Sequence, residues 1–525
     1  MLQRRMSLVA SDPLAELEEL RALPAQLQAE LYAKNLYIEK LKAQLATLKR
    51  ARFGRSSEKL DRLIEQLELT ITDLEEGEAQ ADVEQTQDRS SVSPPILAAK
   101  TKPALGRKPL PDHLPSETIT HPPVCSCPNC GGTVFSKIGT DEREVLEYVP
   151  SHFKRVVHLR PKMSCRACET IVQAPMPSLP IERGRPGPNL LAHVLVSKYC
   201  DHLPLHRQSD IFAREGIDLD RSTLAGWVGA MAALLKILSD RIGAHVRAGE
   251  MVHADDTPVP VLDPGRGKTK TGRLWTVVRD ERPWGSTVPP AAFYAYSPDR
   301  KGERAHQLLS DCRGFLHADA YAGFDKLYEG HELTGQARLT QVTCWAHARR
   351  DLYNEFLRNR SPAAERALNL ISQLFAIEAE VNGSDPQMRL ATRQAKSAPV
   401  LDTLKRHLDA TLARISGKSE FAKAIRYITS RWQAFTVYAT DGRLEMSNNA
   451  AERAIRPLAL GRKNYLFSGS DAGGERAAVI YTIVETCKMG GINPHAYLAD
   501  IINRIADHPA NRIDELLPWN WSTQS

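Results

Sequence analysis

Two cysteine pairs in the sequence have the spacing of metal ligands. Each is a C-x2-C pair, and 34 residues separate the two pairs. Four thiolates at about 2.3 Å from one ion make a closed tetrahedral zinc site, which has no open position for a substrate. We therefore expect this zinc to stabilise a small domain, with His121 and Cys125 as alternatives for one of the ligands. The four candidate zinc ligands are Cys127, Cys130, Cys165 and Cys168.

Acidic residues in three separate segments are candidates for a second metal site. Asp255 follows an alternating strand pattern, Asp319 ends another strand pattern, and Glu452 lies in a short helix that Ser447 or Asn448 can cap. Two divalent cations about 3.5 to 4 Å apart, held by carboxylate oxygens, catalyse displacement at a phosphodiester. Oxygen ligands favour magnesium, with manganese as the alternative.

From the residues alone, these three carboxylates are candidates among several. An aspartate near the end of a strand is commonly a turn former rather than a metal ligand. Cys344 and His347 offer only two ligands, and we assign them to the end of a buried strand. Four other acidic residues are placed as plausibly as the first three, namely Asp256, Asp299, Asp325 and Glu445.

The hydropathy pattern predicts the elements that must position these residues. From residue 249 the order is three strands, a helix, a strand, and a further helix and strand, as expected of a ribonuclease H-like sheet. Residues 346 to 440 and 474 to 525 are helical in pattern. Residues 190 to 240 are helical too, and the turn at Gly216 fits either a helix-turn-helix or a plain helical hairpin.

The N-terminal region has a different character. Apolar residues from Leu17 to Leu48 recur in steps of three and four, which predicts a coiled coil and self-association through it. An amphipathic helix docked on another domain is the alternative. A linker rich in Glu, Gln, Ser and Pro follows from Glu75 to Lys102, and then a proline-spaced basic arm at 106 to 115.

Composition limits the class of protein. A chain of 525 residues exceeds what one hydrophobic core organises, and 25% charged residues with a net charge of +6 permit nucleic-acid binding. Nine cysteines fit metal binding in a reducing compartment better than disulfides. No secretory signal is evident, and the apolar stretch from Ala225 to Leu238 contains Lys236 and is too short to span a bilayer. We expect a cytoplasmic, nucleoid-associated protein with no membrane contact.

Several longer motifs resemble one known family nearly end to end. They include RFGRSSEKL (52–60), HADDTPVPVL (253–262), GFLHADAYAGF (314–324), CWAHARR (344–350) and NNAAERAIRPLALGRKNYLFSGS (448–470). Together with the paired C-x2-C module, they closely resemble the transposases of the insertion-sequence-66 family, in particular the long reading frame of these elements. The resemblance implies a DNA transposase that binds terminal inverted repeats, cleaves 3′ ends and transfers them to target DNA.

The resemblance also implies roles for individual residues. It implies a ribonuclease H-like catalytic domain whose Asp-Asp-Glu triad is Asp255, Asp319 and Glu452. Where the family usually reads Asp-Glu-Thr, this chain has Asp255-Asp256-Thr257, so Asp256 remains an alternative. The helical stretch 346–440 then explains the long interval before Glu452 as an insertion. The cations that we expect to contact DNA phosphates beside Glu452 are Arg453, Arg456, Arg462 and Lys463.

The sequence thus predicts a multidomain α+β protein that acts on DNA. Small accessory proteins of the same element are further expected partners, as the family implies. A catalytically inactive DNA-binding remnant or regulator is the alternative function. The predicted parts are a coiled-coil region (1–75), a linker and basic arm (76–120), a zinc-binding module (121–180), a helix-turn-helix-like region (181–245), a catalytic domain with its insertion (246–472) and a helical C-terminal segment (473–525).

Overall fold

The structure is a computed structural model of the chain. The expected coiled coil and nearly all of the basic arm lie outside the residues that it describes. All described residues belong to one compact unit, residues 87–525. The described residues are 115–121, 130–131, 133–149, 152–181, 184–263, 268–329, 337–464 and 468–522.

The described elements form two sheets surrounded by helices. The strands are β1 (Ser116–Thr120), β2 (Phe135–Val149), β3 (His152–Cys165), β4 (Ile171–Gln173), β5 (Met251–Asp263), β6 (Lys268–Arg279), β7 (Ala291–Ser297), β8 (Gly314–Ala318) and β9 (Leu339–Thr343). The α-helices are α1 (Pro188–Tyr199), α2 (Leu205–Arg214), α3 (Arg221–Arg247), α4 (Gly302–Leu308), α5 (Trp345–Asn359), α6 (Pro362–Glu380), α7 (Pro386–Thr392), α8 (Ala398–Leu412), α9 (Glu420–Thr429), α10 (Trp432–Thr436), α11 (Asn449–Gly461), α12 (Asp471–Met489) and α13 (Pro494–Arg504). Short 3-10 helices cover Arg282–Trp284, Ala322–Leu327, Val437–Thr440, Ala510–Leu516 and Pro518–Asn520, and a π-helical turn covers Arg393–Ser397.

The first sheet carries the cysteine module. Its order is β1-β3-β2, with β4 paired to β3. Because β1 pairs in parallel with β3, residues 116–120 belong to this sheet, although the sequence pattern assigns them to the preceding linker. The buried Glu147 on β2 accepts a hydrogen bond of 2.8 Å from the backbone N–H of Leu190 in the first turn of α1. This contact joins the module to the helices that follow.

The second sheet has five strands in the order β7-β6-β5-β8-β9. β5, β6 and β7 are successive antiparallel neighbours, whereas β8 and β9 run parallel to β5. The order of strands along the chain agrees with the hydropathy pattern. The element between β8 and β9, however, is the 3-10 helix Ala322–Leu327 rather than an α-helix.

The C-terminal helix α12 covers the outer edge of this sheet. An edge strand presents unpaired backbone groups that need other partners. On β7, the N–H of Tyr294 donates to Thr482 Oγ1 at 3.0 Å and the N–H of Ala292 donates to Thr486 Oγ1 at 3.2 Å. The C-terminal segment is therefore part of the same core as the sheet.

Helix α3 lies in that core as well. Asp220 caps it by accepting the N–H of Ser222 at 2.6 Å, and the turn before it has Gly216 at φ +81°. The helix continues to Arg247, well beyond the apolar stretch seen in the sequence, and by length and composition it could cross a membrane. Its apolar side chains pack against α12 and β7 instead, so burial inside the protein accounts for its composition.

The segment between β9 and α11 forms a second, helical core. Helices α5 to α10 and the 3-10 helix Val437–Thr440 occupy the span in which a helical insertion is expected. Trp345 packs on Phe435 with ring centroids 4.8 Å apart at the centre of this core. Two fully buried arginines, Arg389 and Arg393, donate hydrogen bonds to backbone carbonyls of residues 438–444, the segment that leads to α11.

Candidate metal centre

Asp255 and Asp319 lie just beyond the point where the parallel pairing of β5 with β8 ends, inside the five-stranded sheet. In the parallel pairing of β5 with β8, His253 is opposite His317. Each aspartate follows its histidine by two residues, so the two carboxylates extend the same register at neighbouring strand positions. The backbone N–H of Tyr321 donates to Asp319 Oδ1 at 3.1 Å and fixes the orientation of that carboxylate.

Two buried histidines support this part of the sheet. The rings of His253 and His317 stack with centroids 4.2 Å apart and an interplanar angle of 20°. Burial lowers the pKa of His253 to about 4, and it lowers the pKa of His317 well below its ordinary value. Both rings are therefore neutral at pH 7, and they stack without charge repulsion.

Glu452 reaches the same part of the sheet from the first turn of α11. Asn448, directly before this helix, does not cap it with its side chain, although the sequence offered that role. Its amide Nδ2 donates to the carbonyl of Ala254 at 2.9 Å, and its Oδ1 lies 3.2 Å from His253 Nδ1. The side chain of Asn448 anchors the start of α11 to β5, and this contact holds Glu452 close to Asp255.

The three carboxylates interact electrostatically. Burial, and then the negative charges of Asp319, Glu452 and Asp256, raise the pKa of Asp255 well above its ordinary value. A group of like charges of this kind is unfavourable unless a proton or a cation compensates it. Carboxylate oxygens are the ligand type that a hard divalent cation prefers.

Asp256 is engaged differently from its neighbour. Its carboxylate is 1% exposed and forms ion pairs with Arg300 at 2.7 Å and Arg273 at 3.0 Å. Successive residues of a strand point to opposite faces, so Asp255 and Asp256 have different surroundings. The two arginines therefore compensate the charge of Asp256.

The other acidic candidates are also accounted for. Asp299 pairs with Arg304 at 3.3 Å, and Glu445 forms an ion pair with the buried Arg389. Asp325 is exposed within the 3-10 helix that follows β8.

Two residues near Glu452 were not expected at this site. Cys344 Sγ lies 3.9 Å from Glu452 Oε1, and His347 Nδ1 lies 3.4 Å from the same oxygen. The sequence pattern offered only Cys344 and His347 as a pair of ligands, because the third group is more than a hundred positions away along the chain. Their C-x2-H spacing at the start of a helix was the available signal.

The four cations expected to contact DNA have different surroundings. Arg453, Arg456 and Lys463 are exposed on or just after α11. Arg462 is half-buried, and its Nη1 donates to the carbonyl of Pro258 on β5 at 2.5 Å. Arg462 thus holds the end of α11 against the sheet, which is a structural role that the sequence did not indicate.

The cysteine module brings three of its four expected ligands together. The sulfur atoms of Cys130, Cys165 and Cys168 lie within 4.8 Å of one another, with 3.7 Å between those of Cys130 and Cys165. Cys127 and the alternative Cys125 lie outside the described residues. His121 is bonded instead to His158 Nδ1 at 3.0 Å. Three converging thiols indicate a zinc site.

We expect a Cys165→Ser variant to lose the zinc of this module. Cys165 is fully buried at the end of β3, and a closed zinc site contributes directly to the folding of the segment that carries it. Metal analysis after dialysis, with circular dichroism of the β-rich module, measures the effect. Cys312→Ser, which removes a buried thiol elsewhere, is the control and keeps the zinc. Equal zinc contents in the two variants would contradict this assignment.

Comparison with known protein families agrees with these features. The model described as "Transposase IS66 family" matches residues 183–476, and "IS66 C-terminal element" matches 482–519. Residues 125–169 match "zinc-finger binding domain of transposase IS66", and residues 40–119 match "Transposase C of IS166 homeodomain". The chain belongs to the IS66 family of transposases.

Curated relatives extend over almost the whole chain. The uncharacterized protein y4hP of Sinorhizobium fredii is 41% identical over 507 residues, which cover 94% of this chain and 90% of the relative. The uncharacterized proteins y4qI and y4jD of the same organism are each 36% identical and cover 97% and 92% of this chain, and 93% and 94% of their own lengths.

Proposed function

We propose that this transposase uses Asp255, Asp319 and Glu452 to hold magnesium, or manganese, on a ribonuclease H-like catalytic domain. The strand order β7-β6-β5-β8-β9, with three antiparallel strands followed by two parallel ones, supports that fold assignment. The observation that carries the proposal is the register of the two aspartates on neighbouring parallel strands. Asp255 lies within β5 and Asp319 directly follows β8, and α11 brings Glu452 to them.

The chain's own groups suit this chemistry. Magnesium bound there would activate the attacking oxygen and stabilise the leaving oxygen at a phosphodiester. A packed sheet holds Asp255 within β5 and Asp319 directly after β8, and Asn448 fixes the start of the helix that carries Glu452. Preorganised ligands of this kind hold the reacting groups in line without rearrangement during the reaction.

The proposed reaction has two steps at one site. Water attacks the phosphodiester at each end of the element, breaks the bond to the 3′ oxygen and frees a 3′ hydroxyl. That hydroxyl then attacks a phosphodiester of the target DNA, forms the new bond and releases a 3′ hydroxyl of the target. Arg453 and Arg456, exposed on the same helix as Glu452, and Lys463, exposed just after its other end, would hold DNA phosphates in register.

The other parts of the chain would serve DNA binding and assembly. The N-terminal region is proposed to form a coiled coil that brings two copies, and so two element ends, together. The cysteine module is proposed to hold structural zinc and to help bind the terminal inverted repeats. Small accessory proteins of the element remain proposed partners, and a DNA substrate places the action of the protein at the nucleoid.

Labelled terminal-repeat DNA tests the proposal. With magnesium and a target plasmid, we expect the purified chain to produce both cleaved 3′ ends and joined products. Chelation of the metal or an Asp319→Asn substitution removes both products, because Asp319 holds the metal. Undiminished cleavage by Asp319→Asn would overturn the assignment. Repeat binding without cleavage or joining would instead identify a DNA-binding remnant, and cleavage without joining would identify a simple nuclease.

A further inference from the structure

A second group of possible metal ligands shares one residue with the proposed magnesium site. Cys344 directly follows β9 and precedes the first turn of α5, and His347 lies within that turn. Glu452 faces both from the first turn of α11. The three residues present a sulfur, a nitrogen and an oxygen atom, and all three atoms lie within 4.8 Å of one another.

The spacing of these atoms is close to that of a tetrahedral zinc site. Ligands at about 2.0 to 2.3 Å from one ion are separated from each other by about 3.3 to 3.7 Å. The distance from His347 Nδ1 to Glu452 Oε1 is 3.4 Å, and that from Cys344 Sγ to the same oxygen is 3.9 Å. Shifts of a few tenths of an ångström would bring these pairs to the ligand spacing.

The surroundings of two of the ligands favour metal binding. The backbone N–H of Asn448 donates to Cys344 Sγ at 3.1 Å, and the sulfur lies at the N-terminus of a 15-residue helix. Both features place partial positive charge close to the sulfur. Nδ1 of His347 is buried and has no hydrogen-bond partner among the described residues, so its lone pair is available to an ion.

We propose that Cys344, His347 and Glu452 bind one Zn²⁺ ion at a site separate from the cysteine module, with a fourth position open to water. A thiolate and a carboxylate together balance the charge of the ion, and the imidazole binds as the neutral ring. Sulfur and nitrogen ligands select zinc over magnesium, which prefers oxygen.

Zinc at this site would also regulate catalysis, and this part rests on the proposed function. Zinc on Oε1 of Glu452 draws negative charge from the carboxylate and fixes its orientation. Occupation by zinc therefore weakens the hold of the same carboxylate on magnesium. We infer that Zn²⁺ inhibits the transposase through Cys344 and His347.

Cobalt provides a direct measurement of the site. The full chain, stripped of metal, first receives one equivalent of Zn²⁺, which the cysteine module takes in preference because it offers more thiolates; Co²⁺ is then titrated in. Zinc is bound more tightly than cobalt by a given ligand set, so the module keeps its zinc. We expect a thiolate-to-cobalt absorption band that saturates at one additional ion per chain. A titration with no such band would overturn the proposal.

Three variants assign the band to the named residues. Cys344→Ser removes the band, whereas Cys312→Ser, the same change at a buried thiol outside the cluster, retains it. His347→Gln keeps the thiol and weakens cobalt binding by at least about tenfold, since even the loss of an outer partner of a metal ligand has an effect of that size. An unchanged band in Cys344→Ser, or unchanged affinity in His347→Gln, would contradict the site even if another variant failed to fold.

The regulatory part has its own measurement. The ratio of DNA cleavage rates with and without added Zn²⁺, at constant magnesium, is compared within each protein. We expect this ratio to fall at least about tenfold in the wild type, and less in His347→Gln. Cleavage that is insensitive to zinc would overturn the shared use of Glu452. If the chain cleaves no DNA, the proposed function fails, but the cobalt titration still decides whether the site exists.

Discussion

Replacing Asp255 with asparagine is expected to slow DNA cleavage about a hundredfold while leaving the protein folded. Asp255 is half-buried beside Asp319 and Glu452, and loss of its charge removes a proposed metal ligand and also relieves repulsion among the three carboxylates. A loss of about 3 kcal/mol of transition-state stabilisation corresponds to a rate about a hundredfold lower. The measurement is cleavage of labelled terminal-repeat DNA in magnesium, together with urea unfolding of the same preparation.

The matched control is the same substitution at the adjacent residue. Asp256→Asn removes the carboxylate that Arg273 and Arg300 share. We expect it to lower the free energy of unfolding by about 2 kcal/mol, because both arginines keep some contact with water and Arg300 also lies 3.7 Å from Asp319. Its cleavage activity, measured well below the unfolding transition, should fall much less than that of Asp255→Asn. The reverse order of activities would make Asp256 the first carboxylate of the triad.

An Arg393→Met substitution is expected to be the most destabilising single change in the helical insertion. The buried guanidinium pairs with Glu378 through Nε at 2.8 Å, and it donates to the carbonyls of Tyr438, Asp441 and Leu444 at 2.8 to 2.9 Å. Methionine fills much of the volume but satisfies none of these acceptors. Leaving a buried carboxylate and three carbonyls without this partner costs about 3 to 5 kcal/mol.

This substitution should also reduce DNA cleavage, because residues 438–444 lead to the helix that carries Glu452. Urea unfolding gives the stability, and a cleavage assay at low temperature gives the activity of the folded fraction. Lys396→Met is the control, since Lys396 lies in the same π-helical turn but pairs with Glu380 at the exposed surface, where an ion pair contributes less than about 1 kcal/mol. Similar unfolding midpoints for the two variants would show that the Arg393 contacts are dispensable.

The order of the strands follows from local patterns, but the choice between neighbouring acids does not. Alternation along a strand separates Asp255 from Asp256, yet β5 is buried on both faces, so hydropathy does not show which face carries the site. The deciding partner of Asp256 is Arg300, which reaches it from the segment after β7. A contact across such a distance in the chain leaves no periodic trace in the sequence.

The same limit applies to the supporting residues. Asn448 resembles a helix cap in the sequence, because asparagine before a helix usually has that role, whereas its side chain bonds to β5. Arginine side chains are mostly exposed in proteins, whereas Arg393 is fully buried through its contacts with Glu378 and with carbonyls of a later segment. The spacing of hydrophobic residues therefore says least about the position of polar residues whose partners are distant in the sequence.

Two threonines of α12 help to keep the protein from aggregating. Thr486 and Thr482 accept the N–H groups of Ala292 and Tyr294, so that these groups of β7 are not available for pairing with a strand of another chain. A copy shortened before Asp471 would keep every proposed metal ligand but would expose a β-edge able to recruit its own kind into aggregates. Helix α12 thus protects the protein from aggregation, and a copy without it would be expected to lose its activity although its proposed metal ligands are intact.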